Sequence, residues 1–221
     1  MRSPFSPLHL ILFIFSLAML VAVVQVGAVT IAFERLGLSQ SSALLLLFAS
    51  LFGSIINLPL FSIPAEAPEN PPNPELYGLL RQRYGEFRGR TLITLNVGGG
   101  LVPTLFSLYL LRHHPLDPLS LVLGVGGVAL VSRLTSRAVP GLGIGMPIFV
   151  APISAALLAV LLAPEQSPPL AYISGTIGVL VGADLLRLRD IGRMGVPVAS
   201  IGGAGTFDGI FLSGLVAVLL A

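Results

Sequence analysis

Long, nearly uncharged apolar runs dominate this sequence, and a chain built this way has few places to put them other than a lipid bilayer. A bilayer core takes about 20 apolar residues of helix, with a working range of about 17–25. Such runs fall at 8–32, 40–63, 90–112, 118–132, 144–163, 170–186 and 198–221. The 221 residues are 54% hydrophobic and only 10% charged, against about 25% charged in a soluble domain. Charges this sparse cannot cover a water-facing surface, so most of the surface must face lipid. The expected fold class is therefore all-α: one polytopic transmembrane helix bundle over 1–221, about seven spans, in a cell membrane. The fourth run is the shortest and is rich in glycine. The first has Arg2 ahead of it and Val-Gly-Ala near its end, the outline of a signal peptide. Its apolar stretch far exceeds the usual core of about 7–15 residues, so it reads as a retained helix.

Arginine sets the orientation. All 12 basic residues are arginine. With seven spans, one side receives Arg2, the Arg81, Arg83, Arg88 and Arg90 loop, Arg133 with Arg137, and the group Arg187, Arg189 and Arg193. The other side keeps Arg35 and Arg112. Ten against two makes the first side, and the N-terminus, cytoplasmic. The net charge of +2 comes from arginines dispersed between apolar runs, so it reads as topology and not as a nucleic-acid surface. The one long connection, 64–89, is cytoplasmic and rich in proline, glutamate and arginine. Its first half suits an irregular or polyproline path. Its second half suits a short interfacial helix with Leu76, Tyr77, Leu79 and Leu80 toward the membrane. There is no cysteine, hence no disulfide, thiolate nucleophile or Cys-ligated metal.

Ionisable groups inside spans are costly and mark candidate sites. Asp184 falls about 14 residues into the sixth run, roughly 21 Å from the outer face if helical. Asp208 falls about 10 residues into the seventh, roughly 15 Å from the cytoplasm. The two runs are sequential and antiparallel, so their carboxyls can meet. Asn57 and Asn96 fall at a similar level, each roughly 9 Å from the cytoplasmic face by helical rise. Gly182, Gly203, Gly205, Thr206 and Gly209 border the aspartates and complete the candidate substrate- or ion-binding set. Each member also has a plain structural role open to it. Asparagines join neighbouring helices and glycines allow close packing. Asp184 has Arg187 and Arg133 as ion-pair candidates, whereas no basic residue shares the span of Asp208. His113, His114 and Asp117 outline a metal cluster but read as a tight turn at the outer surface. There is no Walker loop, HExxH or GxSxG, and no cofactor is implied.

The segments Gly182-Ala183-Asp184-Leu185-Leu186 and Ser200-Ile201-Gly202-Gly203-Ala204-Gly205-Thr206-Phe207-Asp208-Gly209 carry a resemblance. Together with Asn-Val-Gly-Gly at 96–99 and Gly-Ile-Gly-Met-Pro at 143–147, they resemble an uncharacterised family of prokaryotic membrane proteins known only as a domain of unknown function. The family implies a membrane bundle and brings no activity. The Gly-Ala-Asp string is also similar to the signature of the GxGD-type intramembrane aspartyl proteases, which implies Asp184 and Asp208 as a catalytic dyad. Here Val181 stands at the first glycine, the second aspartate follows the motif, and no proline–alanine–leucine motif is present.

Three functions fit. In an aspartyl intramembrane hydrolase, one carboxyl holds a proton as general acid while the other activates water, and a transmembrane peptide is the substrate. In a proton- or cation-coupled transporter or channel, the same carboxyls and amides bind the ion. In a non-catalytic scaffold, the aspartates serve packing against a partner.

Overall fold

The computed structural model describes residues 27–66, 89–139, 143–203 and 209–221. The expected first span lies mostly outside them, as do the proposed interfacial helix in 64–89 and the candidate residues Gly205, Thr206 and Asp208. Two helices open the described chain, α1 (Gly27–Arg35) and α2 (Gln40–Gly53), and the direction changes by 112° between them. Gly37 supplies the turn with φ +75°, and Ser39 caps α2 by accepting from the Ser42 N–H. Then come strands β1 (Asn57–Pro64) and β2 (Arg90–Asn96), a π turn (Val97–Leu101) and α3 (Val102–His113). Helix α4 (Pro118–Thr135) is capped by Asp117, which accepts from the Ser120 N–H, so the His-His-Pro-Leu-Asp segment acts as a turn and cap. A short hairpin of β3 (Arg137–Val139) and β4 (Gly143–Gly145) leads to α5 (Val150–Leu162). Helix α6 (Pro164–Ile191), β5 (Val198–Ile201) and α7 (Gly209–Leu220) complete the chain.

The expectation of an all-α fold needs correction. Four of the expected helical runs, 40–63, 90–112, 144–163 and 198–221, are each part helix and part strand. The sequence contains the reason. Pro59 and Pro64 stop α2 from continuing, because proline lacks the N–H and clashes with the preceding turn. Thr91-Leu92-Ile93 alternates inward and outward as a strand does, burying Thr91 and Ile93 and exposing Leu92. A three-stranded sheet results, in the order β1-β2-β5. The pair β1–β2 is antiparallel from Asn57↔Asn96 to Pro64↔Arg90, with a register shift between Pro59 and Phe61. The pair β2–β5 is parallel from Leu92↔Val198 to Leu95↔Ile201.

Among the described residues, α4 (18 residues) and α6 (28 residues) are each long and apolar enough to cross a membrane, and α1 with α2 makes a third if that bent pair is one span. These helices mark a membrane protein. The run that looked shortest in the sequence thus lies in a helix long enough to cross. Helix α6 is the central helix, with 67% of its apolar window buried against 22% for α4. Small residues let its neighbours approach: a side chain at Gly178 would press on Val128, and one at Gly182 would overlap the Ala129 carbonyl. A large-residue core, with Phe33, Phe106, Tyr172, Phe211 and Leu215, fills the space among α1, α3, α6 and α7. An alanine-rich one, with Ala151, Ala155 and Ala159, joins α5 to α6. A third lies at the sheet, from Ile93 and Ile201 to Ile191 and Met194.

Arginines close two helix ends. Arg187 donates from Nη2 to the Arg133 carbonyl at 2.7 Å and to the Ser136 carbonyl, at the C-terminus of α4. Arg35 donates to the Val218 carbonyl near the C-terminus of α7, at 3.1 Å. Both put a cation where the helix dipole is negative.

Candidate functional site

Three breaks in regular structure meet at one place: the end of α2, the π turn before α3, and the residues after β5. Asn96, fully buried, is the last residue of β2 and caps the π turn. Its Oδ1 accepts from the Gly99 N–H at 2.8 Å. Its Nδ2 donates to the Ser54 carbonyl at 2.7 Å and to Asn57 Oδ1 at 3.1 Å. Asn57 Oδ1 also accepts from Ser200 Oγ at 2.6 Å, which fills both of its lone pairs. One amide cluster therefore ties together all three strands at the helix-proximal end of the sheet.

Asp184 stands at the end of a second π turn, Leu180–Asp184, inside α6. Its Oδ2 accepts from the Gly202 N–H at 2.8 Å. Only the segment Ser200-Ile201-Gly202 separates the asparagine cluster from the Asp184 carboxylate. The backbone there requires glycine. Gly202 and Gly203 have φ of +80° and +94°, the left-handed region that L side chains avoid. A Cβ on Gly202 would lie 2.5 Å from the Gly100 nitrogen, and one on Gly98 would overlap the Ser50 carbonyl. Ser50 Oγ donates to the Gly98 carbonyl at 2.7 Å, locking the π turn to α2. Close backbone packing is thus what Gly98, Gly182 and Gly202 accomplish.

The structure brings Asn57 and Asn96 into direct contact and sets Asp184 beside the same strand end. Gly182 lies one residue before Ala183 in the Asp184 turn, and Gly209 is the first residue of α7. The relation of Asp184 to Asp208 lies outside the described residues. Strand geometry changes the depths: at about 3.3 Å per residue Asn96 is roughly 20 Å along β2 from Arg90, where helical rise gives roughly 9 Å. The ion pair at this end of α6 is made by Asp190, which accepts from Arg187 at 2.9 Å and lies 3.6 Å from Arg133. Ser50, Ser54 and Ser200 escaped the sequence reading. Serine is common in membrane helices, and only the position of Ser200 next to Ile201-Gly202-Gly203 hinted at a role.

Chemically, the site offers a carboxylate, two amides and the carbonyls of interrupted backbone, an oxygen-rich donor set. Among the described residues no group of three His, Cys, Asp or Glu side chains is arranged to hold a metal ion.

A helical membrane protein whose helices break at a shared polar level, over a small mixed sheet, is the class that the fold and site define. The chain belongs to the family described as protein of unknown function (DUF1614), whose model matches residues 51–220. Neither a curated protein nor a solved structure matches it.

Proposed function

We propose that this chain is a multi-pass carrier of a small cation, either a proton or a monovalent metal ion, with its binding site at Asp184 and Asp208. In this reading the chain crosses the membrane seven times with its N-terminus in the cytoplasm. Asn57, Asn96, Gly182, Gly203, Gly205, Thr206 and Gly209 complete the proposed ion-binding set. One observation carries the proposal: α2 ends and α3 begins together, at a π turn packed against Gly202, whose N–H bonds the Asp184 carboxylate. Interrupted helices, with unwound backbone facing a cavity, are how secondary carriers build ion sites near the bilayer midplane. A likeness between two parts of the chain adds support. The units β2–glycine–α3 and β5–glycine–α7 follow the same plan, and their strands run parallel in register. No divalent ion is favoured, because such sites usually gather several carboxylates.

The aspartyl hydrolase keeps one specific observation in its favour: Asp184 touches peptide backbone just past the end of a strand, at the Gly202 N–H. A single experiment separates the two. Purified protein is scanned for thermal stabilisation by H⁺, Na⁺, Mg²⁺ and Ca²⁺, alongside a pool of single-span peptides sampled for cleavage. A carrier is stabilised by its ion following RT ln(1 + [L]/Kd), and Asp184→Asn and Asp208→Asn each weaken that response. Cleavage lost in both variants, with no ion response, overturns the carrier in favour of the hydrolase. Neither signal leaves a scaffold that binds a partner.

A further inference from the structure

The geometry points to a sheet that lies partly inside the bilayer: we propose that lipid acyl chains, not water or another protein segment, cover the outer face of β1. The first argument is length. At about 1.5 Å per residue α2 spans roughly 21 Å and α3 roughly 18 Å, well short of a hydrocarbon core of about 30 Å. Adding the strand from Asn57 to Ser62, at about 3.3 Å per residue, brings the α2–β1 segment to more than 30 Å. The missing part of the crossing is therefore strand.

The second argument is continuity. Exposed apolar side chains run without interruption from α2 into β1: Phe48 50%, Phe52 63%, Ile55 75%, Leu58 41%, Leu60 49% and Phe61 47%. The first exposed polar side chain of β1 is Ser62, toward its far end, where Arg90 donates to Ser62 Oγ at 2.9 Å and to the Ser62 carbonyl at 3.1 Å. An arginine there sits where headgroups begin. The third argument is the strand edge. Unpaired backbone groups in hydrocarbon are costly, and β1 carries prolines at 59 and 64, which bring no N–H to that edge.

The inference rests on α2 being a membrane segment, and Phe48 tests that premise separately. The chain has no cysteine and no tryptophan, so single probes report without background. Phe48→Cys, Leu58→Cys, Leu60→Cys and Ser62→Cys are spin-labelled in phosphatidylcholine–phosphatidylglycerol liposomes. Collision with oxygen is then compared with collision with a water-soluble nickel chelate. The expected oxygen-to-nickel ratio at Leu58 and Leu60 matches that at Phe48 and falls severalfold at Ser62. Phe61→Trp is a second variant, in which brominated acyl chains quench the fluorescence. Nickel access at Leu58 and Leu60 with Phe48 still in lipid puts the sheet in water and overturns the proposal. Exclusion of both reagents, with no quenching at Phe61→Trp, also overturns it, because protein then covers β1. Nickel access at Phe48 itself removes the membrane premise instead.

Discussion

At the scale of single residues, the site depends on positions where only one side chain works. Gly202 is the clearest, since both its φ of +80° and its approach to Gly100 exclude a side chain. Gly202→Ala is expected to cost about 1–3 kcal/mol from backbone strain alone, measured by denaturation in detergent micelles. Gly126 in α4 is the matched control, with nothing within 4 Å of an added Cβ. Gly126→Ala should be neutral or stabilising by up to about 1 kcal/mol, the helix propensity difference. Asn96→Ala removes a helix cap and leaves Asn57 short of a donor, so a loss of about 2–3 kcal/mol is expected. Measuring Asn57→Ala, Asn96→Ala and the double variant should give a coupling of at least about 0.5 kcal/mol, because the two side chains bond directly. Both asparagines were legible in the sequence as polar residues in apolar surroundings. Their role was not: a helix reading makes them two side chains at equal depth, whereas the strand register makes them cross-strand partners.

At the scale of elements, helices were readable where the apolar run was free of internal proline, as in α4 and α6, even though the run of α4 was the shortest. Strands were not. Thr-Leu-Ile-Thr-Leu and Val-Ala-Ser-Ile are short apolar runs that period alone cannot tell from buried helix. The β-branched residues and the following glycines were the only local sign, and they sat inside windows long enough to pass as spans. The π turn before Asp184 had no signal beyond Gly182. The junction between α4 and α6 is held by Arg187, whose guanidinium reaches Arg133, Ser136 and Asp190 at once. Its side chain is only 15% exposed. Arg187→Ala should cost about 1–3 kcal/mol, read as a lower midpoint of thermal unfolding. Arg187→Lys should restore little of it, since an ammonium cannot replace a planar fork bonded on three sides.

At the scale of the whole molecule, the arginine asymmetry predicts which loops face the cytoplasm. Single cysteines at Gln82, Thr135 and Gly192 should resist an impermeant thiol reagent applied outside intact cells and react once the membrane is opened. Rapid outside labelling at two of the three reverses the orientation. The parallel pairing of β2 with β5 has a further consequence, for biogenesis. Thr91 bonds to the Val196 carbonyl, 105 residues away in sequence, so the sheet closes only after four intervening helices have left the ribosome and entered the membrane. Until then β2 is a half-paired strand next to a half-length helix, with the contacts that define its resting place still unmade. Such long-range closure is slow compared with helix formation. Nascent chains stalled before residue 201 should therefore be substrates for membrane quality-control proteases, and the completed chain should gain protease resistance in one late step.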